Sequence, residues 1–199
     1  MSIRKGILKT LLFLGVLSSN STLAENSCPD LPIDGAMDAF FFKDNIVYVD
    51  ANDGNIYNYN TSTNDVNQIT FNNHNKFNPC RSDKYVVWEN YAQKDSDIYI
   101  YDFRTKKTRP ICDSNLPEVE PIINEKNLIW TVYEGSPKKM SKEIPSPANL
   151  NGDIYVDFTD FSIFAESWMK SGENLQGDIN ESGKVDLEDL IIFSDDWLN

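Results

Sequence analysis

The chain has 199 residues, with 18 Lys and Arg against 31 Asp and Glu, a formal net charge of −13. That balance argues against nucleic acid as a partner, because phosphate binding draws on clustered Lys and Arg. The length allows one ordinary domain or two small ones.

The first 24 residues have the layout of an export signal. Arg4, Lys5 and Lys9 make a basic start, Leu11 to Leu17 a short apolar run, and Thr22-Leu23-Ala24 a small-residue cleavage pattern. The apolar run is much shorter than the ~20 residues a spanning helix needs. No other segment is apolar enough to span a bilayer. The expectation is bacterial-type export to the cell surface or medium, leaving a mature chain of 175 residues. Residues 25–37 are a lead-in. Cys28, Cys80 and Cys112 are an odd number of cysteines. In an oxidising compartment one pair could bridge, and the sequence does not fix which.

Residues 38–135 are rich in Tyr, Ile, Val, Phe and Asn and contain a repeat. At an offset of 42, Ile56 meets Ile98, Tyr57 meets Tyr99 and Tyr59 meets Tyr101. Ile69 likewise meets Ile111, Pro79 meets Pro121 and Trp88 meets Trp130. Asn45 to Asp53 reads as the end of an earlier copy, with Tyr48 in the tryptophan's place. Each copy alternates β-branched and aromatic residues, is broken by polar turns ("STND", "RTKK"), and ends in an apolar run. Several strands in ~40 to 45 residues is the length of a propeller blade.

The phrase "SDIYIYDFRTKKTRPI" followed by "NLIWTVYEG" resembles TolB-type β-propeller repeats. The features that carry the resemblance are Asp97 to Asp102, Ile69-Thr70, Pro79 and Pro121, and Tyr85 to Trp88. It covers about half the chain. Propellers close with ~4 to 8 blades, and the sequence holds about two and a fraction. A shortened paralogue, an assembly of copies and a marginally folded segment all stay open.

Residues 136–147, "SPKKMSKEIPSP", read as an exposed, semi-extended linker. From Ala148 to Asn199 there are twelve Asp or Glu against two Lys, interleaved with Phe, Ile and Trp. Two twelve-position loops fit this stretch 29 residues apart. In the first, positions 1, 3, 5, 7, 9 and 12 are Asn149, Asn151, Asp153, Tyr155 (through its carbonyl), Asp157 and Asp160. In the second they are Asp178, Asn180, Ser182, Lys184 (through its carbonyl), Asp186 and Asp189. Calcium is a hard cation that takes ~6 to 8 oxygen ligands, and alternate residues of a tightly wound loop can all turn inward. Gly183 supplies the sharp turn at position 6 of the second loop. The first has Ile154 there, its glycine displaced to Gly152, and a neutral Asn149 at position 1, which predicts a weaker site. After each loop, Phe161, Phe164 and Trp168, then Leu190, Phe193 and Trp197, mark one-faced apolar helices.

"GDINESGKVDLED" and "NLNGDIYVDFTD" resemble the paired loop-helix repeats of a dockerin. The resemblance implies two bound calcium ions and a cohesin-like partner module, usually where polysaccharide is degraded. It places partner contacts at positions 10 and 11, here Phe158, Thr159, Leu187 and Glu188, which are not the usual Ser-Thr. The expected fold class is therefore mixed and in two separate parts. Incomplete antiparallel β-propeller-like repeats are followed by a small all-α, EF-hand-like dockerin module at 148–199.

Catalytic chemistry is sparse. His74 is the single histidine and reads as a loop residue. No nucleophile elbow or zinc-protease motif occurs. Glu118 and Glu120 alternate on a strand or turn and read as surface. The leading reading is a secreted calcium-binding protein that tethers a recognition part to a cohesin-bearing scaffold, with polysaccharide as a second ligand class. The alternatives are an accessory member of a glycoside hydrolase family, acting if at all on O-glycosyl bonds, and a structural surface protein whose terminal module packs on its own chain.

Overall fold

The computed structural model describes residues 33, 35–92, 95–112, 114–153 and 155–197. The segment expected to be an export signal, Cys28 and Ile154 lie outside the described residues.

Three antiparallel sheets follow one another along the chain. The first holds β1 (Ala36–Phe42), β2 (Asn45–Asp50), β3 (Ile56–Asn60) and β4 (Val66–Gln68), in that order. The second holds β5 (Asn75–Arg81), β6 (Tyr85–Tyr91), β7 (Asp97–Asp102) and β8 (Lys107–Cys112). The third is β9 (Glu118–Asn124), β10 (Asn127–Glu134) and β11 (Ser136–Glu143), with β10 central. Each is a meander, and the first strands β1, β5 and β9 lie side by side.

The apolar run "YVVW" in β6 is continuous because both faces of that strand are covered. Successive side chains of a strand point to opposite faces. Val86 and Trp88 pack on Val47, Val49, Ile56 and Ile69 of the first sheet. Tyr85 and Val87 point the other way, with Ile98 and Ile100, onto Ile123, Leu128 and Trp130 of the third. The offset of 42 maps β3 and β4 onto β7 and β8, and β5 and β6 onto β9 and β10. The repeat read from the sequence therefore starts half a sheet out of phase with the folded unit. Tyr48 stands opposite Tyr57 as Trp88 stands opposite Tyr99, so it does take the tryptophan's place.

The segment expected to be a linker is instead mostly a strand. Ser136–Glu143 pairs along its whole length with β10, Glu134 opposite Ser136 and Asn127 opposite Glu143. Gly135, at φ 76°, makes the turn. The segment reads as a linker because β11 is an edge strand, where Pro137 costs little and lysines discourage further pairing. Met140 alone carries the inward face, opposite Trp130. Only residues 144–147 connect the sheets to the terminal module.

A second feature has no sequence signature. The inner strands bulge at Asp38, Asn78 and Glu120, which take φ values of 43°, 48° and 54°. These positions are equivalent in the three sheets, yet share no residue type.

The terminal module has two helices, α1 (Phe158–Ser167) and α2 (Leu187–Trp197). Phe164 and Phe193 are buried at its centre with Ala148, Ile179, Val185 and Ile192. The remaining predicted stripe residues ring them: Phe161 touches Phe164, Phe193 and Trp197, and Trp168 touches Phe164. Asp157 caps α1 by accepting from the Thr159 amide, and Asp160 reaches back to the Asp157 amide. This is a reciprocal capping box.

Candidate functional site

Each twelve-position loop closes around its last residue. Asp160 is fully buried, and its Oδ1 accepts from the amides of Leu150 and Asn151 at 2.7 and 3.0 Å. Asp189, 29 residues on, is also fully buried and accepts from the amides of Asn180 and Asp186, both at 3.0 Å. In both loops the position-12 carboxylate therefore ties the start of the loop to the first turn of the helix.

The earlier positions line the inside of each turn. Asn149 Oδ1 accepts from the Gly152 amide, Asn151 Oδ1 from the Asp153 amide and Asp153 Oδ1 from the Tyr155 amide. Asp178 takes the amides of Ser182 and Gly183 on its two oxygens, each at 2.8 Å. Asn180 Oδ1 shares the Ser182 amide, Asp186 Oδ1 accepts from the Glu188 amide, and Ser182 Oγ donates to the Lys184 carbonyl. Gly183 has φ 85°, the left-handed turn expected of position 6. Gly152 has φ 79°, but its counterpart Glu181 is left-handed too, at 55°. The glycine of the first loop thus serves position 4, a turn that both loops make, and is not displaced from position 6.

The donors are oxygens throughout, which fits a hard divalent cation and not a soft one. Among the described residues, however, no group of three or more His, Cys, Asp or Glu side chains is arranged to hold a metal ion. The carboxylate oxygens are turned onto loop amides instead.

The four predicted contact residues fall in two separate places. Phe158 is 79% exposed at the start of α1, edge-on to Trp197, with Thr159 exposed beside it. Leu187 and Glu188 are exposed at the start of α2. Glu188 lines a cleft of about 590 Å³ with Arg104, Lys106 and Ile191.

That cleft borders a contact between module and sheets that sequence reading missed. Asp196, near the end of α2, receives hydrogen bonds from Arg104 Nη1 at 2.7 Å, Lys84 Nζ at 2.8 Å and Ser146 Oγ at 2.5 Å. Asp195 pairs with Lys84 at 2.9 Å. Arg104 is also bidentate to Asp102 and donates to the Tyr85 hydroxyl. The Arg104 and Asp196 side chains are each only 11% exposed. Lys107 of β8 pairs with Glu181 of the second loop. Burial by itself would raise the Asp196 carboxyl, but hydrogen bonds from Lys84, Ser146 and Arg104 hold it below its ordinary value. Burial pushes the Tyr85 phenol up to about 12. Lysines and arginines at turns 82–84 and 103–106 carried no signal of their own, because their acidic partners lie about a hundred residues away in the chain.

This ion pair sets an acid limit. A carboxyl whose folded pKa is depressed contributes stability above its unfolded value and loses it as pH falls through the folded one. The contact should therefore persist at neutral pH, begin to weaken below about pH 4, the unfolded carboxyl value, and open only as pH falls through the lower folded value. Small-angle scattering across pH 7 to 3 should show the expansion, and an Asp196→Asn chain should already be expanded at pH 7.

The other candidates do not assemble a reactive centre. His74 Nδ1 lies 3.4 Å from Asn90 Nδ2, and the His74 carbonyl accepts from the buried Lys76 ammonium. Glu118 is buried, not on the surface as its spacing suggests, because β9 is an inner strand. Glu120 is exposed and its carboxylate meets Thr131 and Lys139. Cys80 and Cys112 are not bridged. Cys80 is buried against Ile123, and burial pushes the Cys112 thiol up to about 12.

No family model matches the chain, and no curated relative matches it. Solved structures do resemble it. TolB from Acinetobacter baumannii is 24% identical with a TM-score of 0.43, over 50% of this chain and 27% of that one. A protein assigned as TolB from Agrobacterium tumefaciens is 10% identical with a TM-score of 0.43, over 50% and 40%. The computationally designed protein Ika4 is 13% identical with a TM-score of 0.44, over 55% of this chain and 66% of that one. The chain thus spans well under half the length of the two TolB structures. Its architecture is three antiparallel sheets with two short helices, and TolB structures are among its structural neighbours.

Proposed function

We propose that this chain is a secreted, calcium-dependent docking protein of dockerin type. It takes two calcium ions, one per loop, and its helices present a surface to a cohesin-like module on a scaffold or cell surface. The three-sheet part is the recognition element carried by that module, with polysaccharide as its ligand class. The observation that carries the reading is the matched pair of oxygen-lined loops, each with a fully buried position-12 aspartate holding the loop's own amides. A 52-residue module with so small an apolar core needs the free energy of metal binding to stay folded.

Chelation by EDTA should remove the helical circular dichroism of residues 148–199, and added calcium should restore it. A spectrum unchanged by both additions would contradict the reading. Retention of the calcium-loaded chain on immobilised cohesin, and its loss in EDTA, is the expected outcome for the partner. The second reading, a structural protein whose module packs on its own chain, is favoured by the Arg104–Asp196 contact. It expects no retention on cohesin under either condition.

A further inference from the structure

The stack of three sheets is closed at one end and open at the other. Side chains of a strand alternate between faces, so Val47 and Val49 of β2 meet the second sheet while Ile46 and Tyr48 point away from it. That outer face is covered: Ile46, Tyr48 and Tyr59 are buried, with Ile33 packed against them. At the other end, Leu128 and Trp130 of β10 pack back onto the second sheet, and Ile129, Thr131 and Tyr133 point outward. Ile129 stands opposite Ile122, Thr131 opposite Lys139 and Tyr133 opposite Pro137. Ile122, Ile129 and Tyr133 are exposed.

The repeat shows what such a face does elsewhere in the molecule. The first pair past each bulge is Phe40 opposite Val47, Cys80 opposite Val87 and Ile122 opposite Ile129. Val47 and Val87 are fully buried against the next sheet, whereas Ile129, in the same place, is 42% exposed. The polar neighbours correspond as well. At the offset of 42, Asn78 and Glu89 become Glu120 and Thr131. Asn78 donates to Glu89 at 2.6 Å, and Glu89 reaches across to accept the Glu120 amide of the third sheet at 2.8 Å. In the third sheet the Thr131 hydroxyl donates to Glu120 at 3.0 Å, and Lys139 reaches both. The outer face thus repeats the layout of an interface that is buried one sheet earlier.

Its charge suits a copy of the same chain. At a net charge of −13, two copies repel over most of their surface. Here the carboxylates are balanced, Glu120 by Lys139 and Glu143 by Lys126. A two-fold axis through the face sets Lys139 of one copy toward Glu120 of the other, and the reverse. Such a contact uses the open face alone, whereas head-to-tail stacking would also need the covered face of the first sheet.

We propose that the outer face of the third sheet, built from Ile122, Ile129 and Tyr133 around the Thr131–Glu120–Lys139 cluster, docks a second copy of this chain through the same face. The dimer closes on itself, with a covered first sheet at each end. Three exposed apolar residues a side place it among small interfaces, with a dissociation constant in the micromolar range.

Sedimentation equilibrium of the full chain tests this. The wild type should reach twice the chain mass. Ile129→Asp replaces an exposed side chain, so it should keep the wild-type thermal melt, yet weaken association on the order of tenfold or more by setting like charges face to face. Lys139→Glu should also weaken it without touching the apolar packing, and adding Glu120→Lys should restore it. Phe71→Asp, in the exposed loop between β4 and β5, should leave the dimer intact. A wild type that stays monomeric at high micromolar concentration overturns the proposal and leaves the face to a partner of another sequence. A dimer indifferent to both Ile129→Asp and Lys139→Glu overturns it too. Undiminished binding of Ile129→Asp to the wild type would show head-to-tail stacking and overturn the face-to-face arrangement.

Discussion

Replacing Asp189 by Ala is expected to unfold the terminal module while leaving the three sheets intact. The carboxylate is fully buried and is the acceptor for the Asn180 and Asp186 amides. A buried donor left without a partner costs ~1 to 3 kcal/mol, so these two part-buried amides together come to at most about 2 to 6 kcal/mol. That is a large share of what so small a core can supply. Asn149→Ala removes only an acceptor for the Gly152 amide and a donor to the Asp153 carbonyl in an open turn. It should cost less than about 1 kcal/mol. Thermal melts followed at 222 nm should show the low-temperature transition lost in Asp189→Ala and nearly unmoved in Asn149→Ala. Equal effects would mean that the position-12 carboxylate does not organise its loop.

The largest effect in the sheets is expected for Trp88→Ala. Trp88 is 1% exposed and fills the space between the first and second sheets, packed with Val47, Val49 and Ile56 and tilted over Tyr99. Truncating a buried aromatic to Ala costs about 3 to 5 kcal/mol. Denaturant melts should show the sheet transition at a clearly lower midpoint. Trp88→Tyr copies the residue that the first sheet carries at Tyr48, and should cost less than half as much.

How legible the molecule is from its sequence differs from element to element. The strands "NIVYVD", "YVVWEN" and "DIYIYD" announce themselves through β-branched and aromatic residues, and the offset of 42 places them in equivalent positions. Their grouping is less legible: a repeat in sequence has no natural starting point, so the unit appears half a sheet out of phase. Residues 136–143 mislead because an edge strand buries one side chain, Met140, and looks polar. The left-handed bulges at Asp38, Asn78 and Glu120 recur at one place in the three first strands and have no common residue to betray them.

The loops are the reverse case. Alternate oxygen-bearing residues, a glycine and a following apolar stripe give away both the turn and the helix. What they cannot give is long-range pairing. Lys84 and Arg104 look like ordinary turn residues until α2 arrives beside them.

The central claim is that the duplicated acidic loops are cation sites. Calorimetric titration of the purified, metal-free chain with calcium tests it most directly. Two ions per chain, the second loop binding more tightly than the first, with both lost when Asp189→Ala unfolds the module, is the predicted result. No uptake of calcium, with the helical signal already complete in EDTA, would contradict it.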